Sequence, residues 1–237
     1  MIKQATVLFF SSFLLAACGE PQPRTSVREK GRLTVVMDEP LPGYFVFGGE
    51  SYGYQYDLFK AFADHLGVEL QVVRSERPSE YDAMLADGRA DIVTALSDHA
   101  AEIASASAIP IYHTSYVLLA GKRKADEIRK KKRFELIPCI REGKVLISSG
   151  FKSTRAYSML LDSLSRTAEV YVSSRNSFEL IGALGDGRYD YLICEMSEAQ
   201  LGCAFQKNVA QIYRFAEPVA LSAVVSPQDT SLRSDFE

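Results

Sequence analysis

Ser149, Gly150, Ser153 and Thr154 stand where a β-branched run, KVLISS (Lys144–Ser149), meets a stretch of helical spacing, STRAYSMLLDSL (Ser153–Leu164). The first backbone N–H groups of a helix have no partner within it, so such a junction can hold an anion or another polar ligand. The same hydroxyls serve equally well as plain N-caps. Lys152 and Arg155 would add positive charge there, unless solvent takes both. A second group is aromatic. GYFVFGGESYGYQYDLFKAF (Gly43–Phe62) holds eight of the chain's 12 tyrosines and 13 phenylalanines, and Tyr52, Tyr54 and Tyr56 alternate. Rings in that pattern form either a core or a pocket wall, where their faces would stack on a sugar ring or an apolar side chain.

Other chemistries find less support. His65, His99 and His113 are scattered without an i,i+4 pair, so no metal and no other cofactor is expected. Beyond Cys18, the cysteines Cys139, Cys194 and Cys203 are odd in number and lack C-x-x-C spacing. They read as free, buried thiols, with a Cys194–Cys203 pair as the alternative. No G-x-S-x-G elbow occurs. A net charge of -3 does not favour nucleic acid as a partner. With 47% hydrophobic and 24% charged residues, the chain falls in the globular class.

Lys3 followed by the apolar run Ala5–Ala17 has the form of a secretory signal core, too short to span a bilayer comfortably. LAAC (Leu15–Cys18) resembles the bacterial lipoprotein signal. That resemblance implies lipidation of Cys18, removal of residues 1–17 as the signal peptide, and a polar tether over 18–31. An ordinary cleaved signal with an incidental cysteine is the alternative.

Past the tether, strand and helix patterns alternate. RLTVVM (Arg32–Met37) reads as a buried strand, the aromatic stretch as a loop, and DLFKAFADHLG (Asp57–Gly67) as a helix with Leu58, Phe59, Phe62 and Leu66 on its core face. Asp57 reads as its cap. VELQVV (Val68–Val73) is a strand, SEYDAMLADG (Ser79–Gly88) a helix and ADIVTAL (Ala90–Leu96) a strand. A second series follows: strands at Lys144–Ser149, Ala168–Ser173 and Tyr189–Glu195, helices at Ser153–Leu164 and Ser177–Gly187, and a last strand at Val219–Val225. LADGRADIVTA (Leu85–Ala95) and LGDGRYDYLIC (Leu184–Cys194) repeat one helix-Asp-Gly-strand junction. Two βαβ series with a shared junction indicate two similar lobes with mainly parallel sheets, a chance match of a common helix-Gly-strand junction being the alternative.

GRLTVVM, GYQYDLFKAFADHLGVELQVV, LADGRADIVTA, IPIYHTSYVLLA, GKVLISSGF and LGDGRYDYLICEM, in this order and spacing, resemble the family 3 extracellular solute-binding proteins. The pattern is nearest to the solute-binding-like N-terminal domain of membrane-bound lytic transglycosylases. The resemblance implies an α/β fold: a two-lobed periplasmic-binding-protein type 2 clamshell, each lobe a mainly parallel sheet flanked by helices. Residues 32–119 plus 215–237 would form lobe 1, and the insertion 120–214 lobe 2. The ligand would sit between them, at the C-terminal ends of the strands. On that basis Thr94, Ser97 and Tyr112 would face it from lobe 1. Tyr44, Phe47 and Tyr52 would face it from the loop after the first strand. Glu195 and Met196 would follow the strand where the family's acid meets a ligand amino group; Glu195 as a mere helix start is the alternative.

One departure bears on the ligand. Amino-acid binders of this family carry an arginine after the ADIVTAL-type strand, whose fork grips the ligand carboxylate. SDHAAEIASAS (Ser97–Ser107) has none, and Ala101 or Glu102 stands in its place. A peptide, a glycan fragment or a modified amino acid is therefore expected rather than a free α-amino acid. The resemblance implies a monomeric, non-enzymatic lipoprotein of the cell envelope, facing the periplasm or exterior through a membrane anchor. It would serve transport, with an ABC transporter permease as partner, or sensing of peptidoglycan. The alternative is the N-terminal regulatory domain of a lytic transglycosylase. No E-S with a downstream G-L-M-Q marks a catalytic domain in this sequence. The fold would expect one more helix past TSLRSDFE, which leaves open a longer parent protein. KRKADEIRKKKR (Lys122–Arg133), eight of whose twelve residues are basic, reads as a solvated helix or loop, or as a contact for anionic lipid.

Overall fold

The computed structural model describes residues 25–37, 42–75, 77–96, 103, 108–130, 135–141, 143–164 and 168–237, without the side chains of 78 and 153. Cys18 and Ser97 lie outside the described residues, as does Ser97–Ser107 apart from Ile103.

The first series runs α1 (Val27–Lys30), β1 (Arg32–Met37), a hairpin of β2 (Phe45–Phe47) and β3 (Glu50–Tyr52), α2 (Tyr54–Leu66), β4 (Glu69–Arg74), α3 (Tyr81–Asp87) and β5 (Ile92–Leu96). A long strand β6 (Ala108–Gly121) leads to α4 (Lys122–Arg129) and α5 (Leu136–Ile140). The second series is β7 (Lys144–Ser148), α6 (Arg155–Leu164), β8 (Glu169–Ser173), α7 (Ser177–Gly185), β9 (Tyr191–Glu195) and α8 (Met196–Phe205). β10 (Val209–Val225) and α9 (Thr230–Phe236) complete it. Among the described residues no helix is long and apolar enough to cross a membrane.

Eight strands join in the order β4-β1-β5-β10-β6-β9-β7-β8. β4-β1-β5 is parallel, and so is β9-β7-β8. The two parallel halves meet through β6 and β10, which run antiparallel along most of their length. β10 pairs with β5 over Leu221–Val225, and β6 pairs with β9 over Tyr116–Ala120, so each long strand serves both halves. The register of β10 slips between Arg214 and Pro218, where the ladder passes from one half to the other. Proline cannot donate to a ladder, which suits it to such an irregular place.

Both faces of each half are covered. Leu33, Val35 and Met37 of β1 pack on Phe59, Ala63 and Leu66 of α2, while Val36 faces Tyr81, Met84 and Leu85 of α3. In the second half Val145, Ile147 and Ile193 meet Leu160 and Leu164 of α6. On its other face Leu146, Leu192 and Cys194 meet Leu180, Ile181 and Leu184 of α7. Strand side chains alternate between faces, so apolar runs such as YLIC need cover on both. The architecture is the expected α/β clamshell.

Several details differ from expectation. α2 begins at Tyr54, three residues early, with Gly53 at its N-cap position and no side-chain cap; Asp57 lies within its first turn. Its buried face is Gln55, Phe59, Ala63 and Leu66, so Leu58, about 100° away, is exposed. The aromatic loop is a hairpin pairing Phe45 with Tyr52. β6 was not read as a strand, and β10 starts ten residues early at Val209. TSLRSDF is itself a helix, whose Phe236 stacks on Phe59 with centroids 5.6 Å apart. All three described cysteines are free, but only Cys194 is fully buried.

Asp229 ties the chain's two outer helices together. It caps α9 by accepting from Leu232 N at 3.0 Å, and it accepts from Val27 N of α1 at 3.1 Å. Burial acts to raise its pKa, but hydrogen bonds from Ser231, Leu232 and Val27 outweigh it and hold the carboxyl below its ordinary value. A carboxyl depressed in the folded state stabilises above its unfolded pKa and loses that contribution as pH falls through the folded value. Asp229→Ala is expected to lower the unfolding free energy by about 1–2 kcal/mol in neutral urea titrations. The gap from wild type should narrow below about pH 4. An unchanged midpoint would rule the cap out.

Candidate functional site

A cavity of about 450 Å³ opens between the two halves of the sheet. The first half contributes Pro42 and Gly43 before the hairpin, Tyr54 and Gln55 after it, and Thr94–Leu96 at the end of β5. The second half contributes Ser148–Gly150 after β7, Ser174–Ser177 after β8, Glu195 ending β9, and Ser197 and Glu198 opening α8. Tyr112 and Tyr116 of β6 complete the wall. Every parallel strand that reaches the cavity does so with its C-terminal end, the usual ligand position in open α/β sheets.

Glu195 is 5% exposed and is the N-cap of α8. One oxygen, Oε2, accepts from Ser197 N at 2.8 Å, from Glu198 N at 3.1 Å and from the Ser197 hydroxyl. The other accepts from the Thr114 hydroxyl. Free N–H groups at the helix start stabilise this negative charge. Glu198, three residues on, is buried and its Oε2 accepts from the hydroxyl of Ser177, the first residue of α7. Beneath them, burial pushes the Cys194 thiol well above its ordinary range, with Glu198 and Glu195 adding to the rise.

The opposing wall is phenolic. Tyr54 and Tyr112 meet edge to face with centroids 5.1 Å apart, and the Tyr54 hydroxyl donates to Tyr112 Oη at 2.9 Å. Burial, and then their mutual proximity, lift the Tyr54 phenol far above its usual pKa. Burial and then the Glu195 carboxylate raise Tyr112. Gln55 Nε2 donates to Tyr54 Oη at 3.3 Å, while Gln55 Oε1 is buried with no hydrogen-bond partner among the described residues. Arg175 is the single lysine or arginine among the described lining residues, and it sits 3.7 Å from Glu179 on an exposed rim.

Of the residues expected from sequence, Thr94, Tyr112, Ser149, Gly150 and Glu195 line this cavity. Others are placed elsewhere. Tyr44 is 6% exposed and packs in the core against Tyr56, its hydroxyl 3.3 Å from Ser51 Oγ. Phe47 is 74% exposed at the end of β2 and does not line the cavity. Tyr52 faces solvent, stacked on Phe45 and bonded to Glu50. Thr154 is the plain cap: its hydroxyl accepts from Tyr157 N at 3.1 Å and donates to Phe151 O. Met196 turns to the α7–α8 core, its sulfur 3.8 Å from Ser115 Oγ. Ser153 ends the 3-10 turn Ser149–Ser153.

Tyr54, Gln55, Ser177 and Glu198 were not expected. Tyr54 belongs to the same alternation as Tyr52, but Gly53 breaks the strand between them and sends the later residue inward. Glu198 carried a signal in its i,i+3 spacing from Glu195 at a helix start. Ser177 carried none, since only the packing of α7 on α8 brings it to Glu198.

No protein-family profile matches the chain. Membrane-bound lytic murein transglycosylase F of Idiomarina loihiensis is 24% identical over 208 residues, 86% of this chain and 45% of that protein. The namesake of Alcanivorax borkumensis is 23% identical over 232 residues, 97% and 48% of the two chains. The chain thus spans about half the length of these curated relatives. Among solved structures, holo ArgBP from T. maritima superposes with a TM-score of 0.67 at 18% identity, covering 89% of each chain. AbpA from Streptococcus pneumoniae, an amino acid ABC transporter substrate-binding protein bound to L-arginine, gives 0.68 at 19% identity over 89% and 87%. An ancestral amino-acid-binding protein, a precursor of cyclohexadienyl dehydratase, gives 0.66 at 21% over 88% and 87%. The chain therefore has the two-lobed fold of the extracellular solute-binding proteins, and its sequence is related to part of the membrane-bound lytic murein transglycosylases F.

Proposed function

We propose that this chain captures a small polar ligand between its two halves and closes on it by a hinge at β6 and β10. It would act as a solute-binding protein of the cell envelope, held to the membrane by lipid on Cys18 and serving transport or sensing. The observation that carries this reading is the cavity itself, walled from both halves at the C-terminal ends of β5, β7, β8 and β9. Two long shared strands, one with a register slip at Arg214–Pro218, suit a hinge that absorbs rotation without breaking either core. The fold neighbours include a transporter's substrate-binding protein and arginine-bound forms. Without an arginine in Ser97–Ser107, a peptide, a glycan fragment or a modified amino acid suits the cavity better than a free α-amino acid.

A second reading has its own support. The relatives named membrane-bound lytic murein transglycosylase F align with nearly all of this chain and about half of themselves. On that reading the same cavity is the regulatory binding module of a longer peptidoglycan-cleaving protein.

A thermal-shift screen with amino acids, oligopeptides and muropeptides tests the capture. A ligand at a hundred times its Kd stabilises the folded state by about 2.7 kcal/mol. For a chain of this size that raises Tm by roughly 5–10 °C. Small-angle scattering should show a smaller radius of gyration with the same ligand. Muropeptides as the sole hits would favour the second reading. A strong shift with acidic amino acids alone would overturn the inference from the missing arginine. No shift with any class would overturn capture itself.

A further inference from the structure

We propose that the outer face of the β2–β3 hairpin is a docking surface for the pyranose rings of a glycan. This surface lies outside the cavity, since Phe45, Phe47, Glu50 and Tyr52 do not line it, and it does not depend on capture there. The hairpin stands apart from the eight-stranded sheet. Cross-strand partners share a face, and so do residues two apart on one strand. The pairs Phe45–Tyr52 and Phe47–Glu50 therefore put three aromatic rings and one carboxylate on the same face. The other face carries Val46 and Ser51, and Ser51 Oγ lies 3.3 Å from Oη of the buried Tyr44. The aromatic face is thus the one turned away from the core.

The face is built rather than loose. Gly48 and Gly49 turn the chain with φ of +62° and +87°, the signs of the tight turn that matches strand twist. At the base, Tyr54 N bonds Pro42 O and Gln55 N bonds Gly43 O. Tyr52 stacks on Phe45 with centroids 5.8 Å and planes 25° apart, and its hydroxyl donates to Glu50 Oε2 at 2.9 Å. Two partners fix that ring, so little ordering is left for a ligand to impose.

Size and charge select the occupant. Phe47 is 74% exposed and Tyr52 41%, which at about 200 Å² for a whole aromatic side chain offers about 230 Å². A stable protein partner, a second copy included, needs about 800 Å² a side. A bilayer would take the rings but would also bury Glu50, and a carboxylate in lipid is costly. A pyranose ring suits both features. Its apolar C–H face covers an aromatic ring, while the hydroxyls on its edge donate to a carboxylate. Of the roughly four lone-pair positions on Glu50, the Tyr52 hydroxyl takes one. An apolar patch with a carboxylate set beside it is thus matched by a ligand that is apolar on its face and hydroxylated at its rim.

Titration calorimetry and saturation-transfer NMR on the full chain test this with chitotetraose and cellotetraose, and with sorbitol as a polyol that has no ring. Wild type should bind at least one tetrasaccharide saturably and about tenfold or more tighter than sorbitol, with transfer strongest to its C–H protons. Phe47→Ala and Tyr52→Ala should each weaken that binding about fivefold or more, and Glu50→Ala about threefold or more. Phe47→Ala should leave the urea midpoint unchanged, because the ring is exposed in the folded chain. Phe205→Ala is the control: that ring is 71% exposed but belongs to α8, and its loss should not alter binding. Absence of saturable binding to both tetrasaccharides, or binding no tighter than to sorbitol, would overturn the proposal. So would binding that persists unweakened in folded Phe47→Ala, which would place the sugar elsewhere, the cavity included. Phe47-dependent pelleting with phosphatidylcholine vesicles, or Phe47-dependent dimers in sedimentation, in place of sugar binding would give the face to a bilayer or a second copy and overturn it equally.

Discussion

Phe151→Ala is expected to lower the unfolding free energy by about 3–5 kcal/mol and to weaken the proposed ligand capture at the same time. The ring is 0% exposed and touches three others: Phe215 at 4.8 Å between centroids, Tyr116 at 5.0 Å and Tyr157 at 6.1 Å. These partners come from β10, β6 and α6, so one side chain joins both shared strands to the second half's helix layer. It also anchors the 3-10 turn that puts Ser149 and Gly150 on the cavity wall. The collapse of a cavity that large is limited by the surrounding aromatic rings, which places the cost at the upper end for a Phe deletion. Urea titration measures it, and Phe151→Leu should recover a substantial part. A loss under about 1.5 kcal/mol would mean the turn is held by something else.

Gly53→Ala should be nearly as damaging, for a backbone reason. Gly53 adopts φ +122°, and a Cβ there would meet Gly43 O at 2.2 Å, Gly43 C at 2.6 Å and Pro42 O at 2.9 Å. All three are backbone atoms, so no side chain can swing aside. The close approach is what allows Tyr54 N to reach Pro42 O and Gln55 N to reach Gly43 O, at 3.3 and 3.0 Å. Those two bonds pin the base of the hairpin and hold Pro42, Gly43, Tyr54 and Gln55 on the cavity wall together. Left-handed or mirror-extended backbone in a non-glycine residue costs about 1–3 kcal/mol before any clash, so a total of at least about 3 kcal/mol is expected. Gly48→Ala is the control, since its φ is +62° and nothing among the described residues lies within 4 Å. That change should cost only about 1–2 kcal/mol. Equal midpoints for the two variants would show that the clash is relieved without consequence.

Local pattern was enough for the elements that depend on short-range physics. RLTVVM and YDYLICE are apolar runs of strand length, and both became buried strands. LADG and LGDG end their helices at glycines with φ of +84° and +76°, and the flanking pairs Asp87–Arg89 and Asp186–Arg188 are exposed, as surface charges there need only be. Thr94, Ser149, Gly150 and Glu195 could be placed near one another because each sits at or near a strand end, and strand ends of a parallel sheet share one edge; Tyr112, inside the antiparallel β6, was expected only from the family resemblance. The β6 and β10 ladders were less legible. IPIYHTSYVLLAG mixes polar and apolar residues without a clean period, since half of it is covered by one lobe and half by the other. Its strand character comes from pairing with residues about a hundred positions away.

What the sequence by itself determined is the βαβ order in two series, because periodicity, helix-ending glycines and strand ends are local properties; the edge on which a ligand site would lie was implied by the family resemblance. Which side chains face that site was decided only by tertiary structure. Tyr52 and Tyr54 are two residues apart in one aromatic alternation, yet a glycine that fits only against Gly43 turns one outward and the other inward. Glu195 and Glu198 are one helical turn apart and chemically alike, yet the free amides of α8 and the Thr114 hydroxyl claim the first, while Ser177 aims the second. A side chain's role depends on which partner reaches it first, and those partners come from elements that only folding brings together.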